Sequence, residues 1–263
     1  MIKFFRQIRQ SLVMENKTSK YLKYAIGEIF LVVIGILIAL QINNWNEDRI
    51  VRLEEQKILK QLKNEYQQNL AQLDEKIYMR DKMTLASAGL LNYIDHPEEY
   101  IKDSLLYYMF RLTQEPTFDP IQNDLVVSGK LRIIKNDSLA MMLSNWTSDA
   151  YQVQELERSW QEIRRDFILP LFMTKDFARS TVSYLLTNGY TPDHALDDDV
   201  SLVYNIEMNE LDLLKSLKDN TIDFQSAAST CILYNKITNS QSYALRNRII
   251  KILNLIDSEI IND

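Results

Sequence analysis

The longest predominantly apolar stretch is Ala25-Ile-Gly-Glu-Ile-Phe-Leu-Val-Val-Ile-Gly-Ile-Leu-Ile-Ala-Leu-Gln-Ile42, in which Glu28 is the one ionisable residue. About 20 apolar residues of helix cross a hydrocarbon core. With Tyr24 and Asn43 at its edges, the run predicts a transmembrane helix over residues 24–42. Tyr21 and Tyr24 before it and Trp45 after it are the amphipathic aromatics expected as anchors at the two interfaces.

Beyond the run the pattern changes. Leu59, Leu62, Tyr66, Leu70, Leu73 and Ile77 recur three and four residues apart, while Glu54, Glu55, Lys57, Lys60, Lys63 and Glu65 leave the other face charged. That is one buried stripe on a charged helix. It predicts a stalk over residues 43–94 that continues out of the membrane, packed either in a dimeric coiled coil or against the chain's own helices.

Pro97 with Glu98 and Glu99 marks the start of a second helix running to Thr113, with Tyr100, Leu105, Tyr108 and Leu112 inward and Pro116 as its stop. Asp119-Pro120 reads as a cap and first turn of a helix closed at Gly129; a hairpin through residues 125–134 is the competing reading. Asp137 is placed to cap a long helix through Trp146, Tyr151, Leu156 and Trp160 to Pro170, with Glu155, Glu157, Arg158, Glu162, Arg164 and Arg165 on its wet face. A shorter segment covers residues 171–186. Residues 188–199, with Gly189, Pro192 and three consecutive aspartates, form a loop. Residues 200–217 and 224–260 read as helical, the last helix carrying Phe224, Cys231, Ile249, Leu253, Ile256 and Ile260 toward one side.

Five glycines and five prolines in 263 residues, with neither in residues 193–263, favour long helices over turn-rich β architecture. The predicted fold is all-α: a transmembrane helix continuing into a stalk, then an extracytoplasmic antiparallel helical bundle. The divisions are a basic tail (1–23), the membrane helix (24–42), the stalk (43–94) and a bundle domain (95–263) that packs with the stalk.

Charge adds an orientation. Residues 1–24 carry Lys3, Arg6, Arg9, Lys17, Lys20 and Lys23 against Glu15, whereas the whole chain has a formal charge of −6. The acidic remainder argues against nucleic-acid binding. The basic tail suits anionic lipid headgroups, lying flat through Phe4, Phe5, Ile8 and Leu12 or remaining an unstructured stop signal. Close to the run the count is six Lys and Arg in residues 1–24 against three (Arg49, Arg52, Lys57) in residues 43–57, which predicts a cytoplasmic N-terminus and, in a bacterial inner membrane, a periplasmic C-terminal domain. A cleaved signal peptide is disfavoured because Leu40-Gln-Ile-Asn-Asn-Trp-Asn-Glu47 offers no small-x-small site. The single Cys231 excludes an internal disulfide and reads as a small core residue.

Within the membrane helix, Glu28 is either a carboxylate reaching the headgroups or a functional intramembrane group. Gly27, Gly35 and Ala39 form a small-residue face for helix pairing. Elsewhere chemistry is sparse. His96 and His194 lie in separate turns without metal-ligand spacing, and there is no glycine-rich phosphate loop or nucleophile elbow. No catalytic residue, metal or cofactor is expected. Trp146, Tyr151 and Trp160 are the candidate lining of a ligand pocket between helices, with plain core as the alternative.

The block Met1-Ile-Lys-Phe-Phe-Arg, then Tyr24-Ala-Ile-Gly-Glu-Ile29 and Leu37-Ile-Ala-Leu-Gln-Ile-Asn-Asn-Trp-Asn-Glu47, resembles an uncharacterised bacterial family of single-span membrane proteins of unknown function. Phe118-Asp-Pro120 and the stretch from Ser128 to Leu139 resemble its weaker downstream signature. The resemblance implies membrane anchoring and an extracytoplasmic helical domain, and makes Gly27, Glu28 and Gln41 through Glu47 a recurring unit. It carries no activity. The expected role is a non-enzymatic envelope interaction or scaffold module, contacting the bilayer and a protein partner or second copy. The alternative is a sensor-like receptor that binds a small ligand between its helices and signals through a membrane partner.

Overall fold

The structure is a computed structural model that describes residues 18–122, 125, 128–175, 177–187, 203–207 and 213–261. Every regular element among them is helical: α1 (Thr18–Asp95), α2 (Lys102–Leu112), α3 (Asp137–Ile163), α4 (Leu169–Thr174), α5 (Phe177–Thr187), α6 (Leu213–Asp219) and α7 (Thr221–Glu259). Short 3-10 turns occupy Pro97–Glu99 and Lys130–Ile133, and a π turn, Arg164–Ile168, joins α3 to α4. The chain divides into two compact units, Met1–Ile58 and Leu59–Asp263.

In the first unit, α1 carries the apolar run with its side chains facing outward; Phe30, Leu31, Leu37 and Ile42 are all exposed. Just beyond the run, Asn43 Nδ2 donates to Glu47 Oε1 at 2.8 Å, one turn further along.

In the second unit the stripe of α1 packs inward, since Leu59, Leu62, Tyr66, Leu73 and Ile77 are all buried. Its partner is α7. Lys63 meets Asp257, Asp74 meets Arg246, and Arg80 meets Asn239 and Ser242, so the two helices run in opposite directions. Helix α3 also opposes α7, with Asn136 on Glu259 and Asp149 on Arg248. Ring contacts fill the layers between: Tyr66 lies edge-on to Trp146 at 4.9 Å, and Phe177 edge-on to Phe224 at 5.0 Å. Helix α2 comes so close to α1 that a Cβ on Gly89 would lie 2.5 Å from the Tyr108 ring.

Several expectations are corrected. No helix begins at Asp119-Pro120; residues 114–122 are irregular, and Gly129, at φ +69°, takes a left-handed turn that opens a 3-10 turn rather than closing a helix. The cap of α3 is Asn136, whose side chain accepts from the Leu139 amide at 3.0 Å, in place of Asp137. Pro170 does not stop the helical path. Having no amide proton, it interrupts the α ladder, and the π turn before it shifts the register so that α4 continues to Thr174. Residues 203–207 are not helical. Glu157, assigned to the wet face of α3, is buried. Tyr100 and Tyr108 are only half-buried and lie against Tyr93. The predicted loop at 188–199 lies outside the described residues.

Glu157 is buried because Arg80 is. The Arg80 guanidinium, 1% exposed, bonds the Glu157 carboxylate through Nη2, and its Nη1 donates to Asn239 Oδ1 at 3.3 Å and Ser242 Oγ at 3.1 Å. Removing one partner of such a pair strands the other charge in the core, at a cost of about 3–5 kcal/mol. Arg80→Met should therefore lower stability by about that amount. The double variant Arg80→Met/Glu157→Leu should regain part of it, the remainder reflecting the Phe118 amide that Glu157 holds. Thermal unfolding of the purified chain measures both; equal losses in single and double variants would contradict the coupling.

Candidate functional site

Two features of the second unit gather polar chemistry. The first is the buried network around Arg80. Burial pulls this guanidinium down to about 10, with Asp81 opposing the shift, so it stays charged at neutral pH. Asn239 Nδ2 donates both to the main-chain oxygen of Ile77 (3.1 Å) and to Asp81 Oδ1 (3.0 Å). The second oxygen of Glu157 accepts the Phe118 amide at 2.9 Å.

Phe118 belongs to an irregular strap, residues 113–122, whose main-chain groups are bonded largely by side chains from α1 and α3. Asn69 takes the Ile121 amide (2.7 Å) and donates to its carbonyl (3.0 Å), and Gln72 accepts the Asp119 amide. Gln154 and Trp160 Nε1 donate to the carbonyls of Phe118 and Gln114. All these polar groups are satisfied by one another, as buried groups must be.

The second feature is a groove of about 550 Å³ between the π turn with α4 and the first three turns of α7. Ile163, Ile168, Leu171 and Ala227 form its apolar wall, and Pro170 also lines it. The π turn, a deformation frequent at functional sites, puts Asp166 and the 70%-exposed Phe167 at the groove. Lys175 lies beyond the end of α4, and Asp223 in the first turn of α7.

The sequence-derived candidates are scattered by comparison. Trp146 is core against Tyr66, Trp160 is core and bonded to the strap, and Tyr151 faces outward with the Arg158 guanidinium 5.9 Å from its ring centre. The three share no pocket lining with the groove, because residues 146, 151 and 160 are not on one face of α3. Gly27, Gly35, Ala39 and Trp45 are exposed on α1, and Glu28 is half-exposed. The side chains of Tyr21 and Tyr24 lie outside the described residues, as does His194. His96 is exposed, 3.6 Å from Glu98. The groove was missed because its residues come from a turn and two helices distant in sequence; the only local cue was a proline inside an otherwise helical pattern.

An all-helical protein with one helix, among the described residues, long and apolar enough to cross a membrane is the class these observations define. Residues 28–153 match a family described as a family of unknown function (DUF6090). The matched stretch holds Gln41 through Glu47, Phe118-Asp-Pro120 and the stretch from Ser128 to Leu139, and so supports the resemblance to an uncharacterised family. No curated protein and no solved structure matches the chain.

Cys231 is buried beside Asn235, whose Nδ2 lies 3.3 Å from the sulfur, and burial pushes its thiol up to about 12 despite hydrogen bonds from Ser87 and Asn235. The thiol should resist modification in the folded chain and react on unfolding. Because the folded value lies above the ordinary value of 9.0, the associated stability is complete below pH 9 and is lost as pH rises toward 12. Between pH 8 and pH 10 the native chain should lose about 1 kcal/mol more than Cys231→Ala. Paired denaturation curves measure the difference.

Proposed function

We propose that the chain is a membrane-anchored, non-enzymatic interaction module of the bacterial envelope, with its basic tail in the cytoplasm, one inner-membrane span over residues 24–42, and its helical domain in the periplasm. The observation that carries this reading is the apolar run of α1, whose 18-residue apolar window is 0% buried within the structure. Leaving a dozen large apolar side chains in water forgoes roughly 20–30 kcal/mol of burial. A bilayer supplies the missing environment. The local excess of Lys and Arg before the run favours the orientation, and the anionic inner leaflet suits the tail.

The helical domain is the part available for docking a protein partner. A second reading, a receptor for a small ligand, is favoured by the groove between the π turn and α7.

The orientation is tested in a Cys231→Ser background with single cysteines at Ser11 and Ser258 and a membrane-impermeant thiol reagent on spheroplasts. Labelling at position 258 but not at 11 is expected. Labelling at 11 alone would put the helical domain in the cytoplasm, and labelling of both after simple washing of the membranes would contradict anchoring.

A further inference from the structure

The groove has the size of a small-molecule site, since such sites occupy about 300–1,000 Å³ with apolar walls and a few placed polar groups. Its polar groups are not equally available. Asp166 is held by its neighbour Arg165, through contacts of 2.7 and 3.2 Å from Nε and Nη2. Thr174 and Ser226 donate their hydroxyl protons to the carbonyls of Pro170 and Ile222, each at 2.8 Å. Those two oxygens can therefore accept but have no proton to give. Beside the neutral hydroxyl of Thr230, that leaves two charged groups, Lys175 and Asp223, of opposite sign and lining one groove; among the described residues neither is ion-paired, with each other or with any other side chain.

We propose that the groove binds a small zwitterion with an apolar body, an apolar amino acid or short apolar peptide. Its ammonium sits at Asp223, where hydroxyl oxygens of the wall add acceptors, and its carboxylate sits at Lys175. Its side chain lies on Ile163, Leu171 and Ala227, with the exposed Phe167 ring closing over it. A simple amine would meet the Lys175 charge and a simple acid the Asp223 charge, so carrying both charges is what selects the ligand. The proposal rests on the receptor reading of the groove and is independent of membrane orientation.

The test is calorimetric titration of the full chain in detergent micelles with leucine, phenylalanine and leucyl-phenylalanine, beside N-acetylated, amidated and doubly blocked forms of the dipeptide. The variants are Asp223→Asn and Lys175→Met, with unliganded thermal midpoints recorded to show that both remain folded. Binding of at least one zwitterion is expected, weakened roughly ten- to hundredfold by either variant. Asp223→Asn should weaken the free dipeptide but leave the N-acetylated form unchanged, and Lys175→Met should spare the amidated form in the same way. Equal binding of the doubly blocked dipeptide would overturn the zwitterion assignment while keeping the groove as a receptor site. Binding of no probe would overturn both, as would a disulfide-linked dimer formed through Ser226→Cys, which would make a second copy of the chain the occupant.

Discussion

A guanidinium and a carboxylate withdrawn from water between three helices set the terms for the rest of the helical domain. Arg80 and Glu157 are each below 5% exposed, and charges buried to that degree persist only when donors and acceptors are nearly all used. Asn239 and Ser242 complete the guanidinium, and the Phe118 amide completes the carboxylate. Apolar layers tolerate a slip of one helix along another by repacking. The polar layer does not, because a one-turn slip leaves a charge unsatisfied. It therefore selects the register in which α1, α3 and α7 meet, and through Phe118 it selects where the intervening chain crosses them.

The helices themselves are legible because apolar spacing is a local signal: α1, α3 and α7 fall where the stripes lie, while α2 starts only at Lys102, after a 3-10 turn at Pro97–Glu99 that leaves Tyr100 outside it. The polar layer was not, since charged residues on a helical pattern are ordinarily its wet face, and Glu157 was read that way. A cue did exist in α7. Between Cys231 and Leu245 the buried positions are Asn235, Thr238, Asn239 and Ser242, so the stripe keeps its three-and-four spacing while its chemistry turns polar. Arg80 and Glu157 interrupt the stripes of α1 and α3 in the same manner. One interruption looks like solvent exposure; three that meet form a core layer, and only the tertiary structure shows that they meet. Pro170 misled for a related reason, because sequence registers the missing amide but not the π turn that accommodates it.

The groove and the polar layer divide the domain's polar groups by availability. Around Arg80 the guanidinium, Glu157 and Asn239 bond other parts of the chain. At the π turn the chain leaves an apolar concavity lined by Lys175 and Asp223, neither of them ion-paired within the described structure. The exposed apolar run and the groove thus have separate origins: one is a stretch of α1 that the structure leaves unburied, the other lies where a π turn and Pro170 interrupt the α ladder.

The strap at residues 113–122 has no regular structure, and connections of that kind are usually where chains vary in length. Here each anchor is a particular side chain at a particular distance: Trp160 for Gln114, Glu157 and Gln154 for Phe118, Gln72 for Asp119, Asn69 for Ile121. The segment is measured against two helices as a ruler is against two marks. An insertion of a single residue would displace every bond downstream of it, so this unstructured connection has the length tolerance of a packed core element rather than that of a loop.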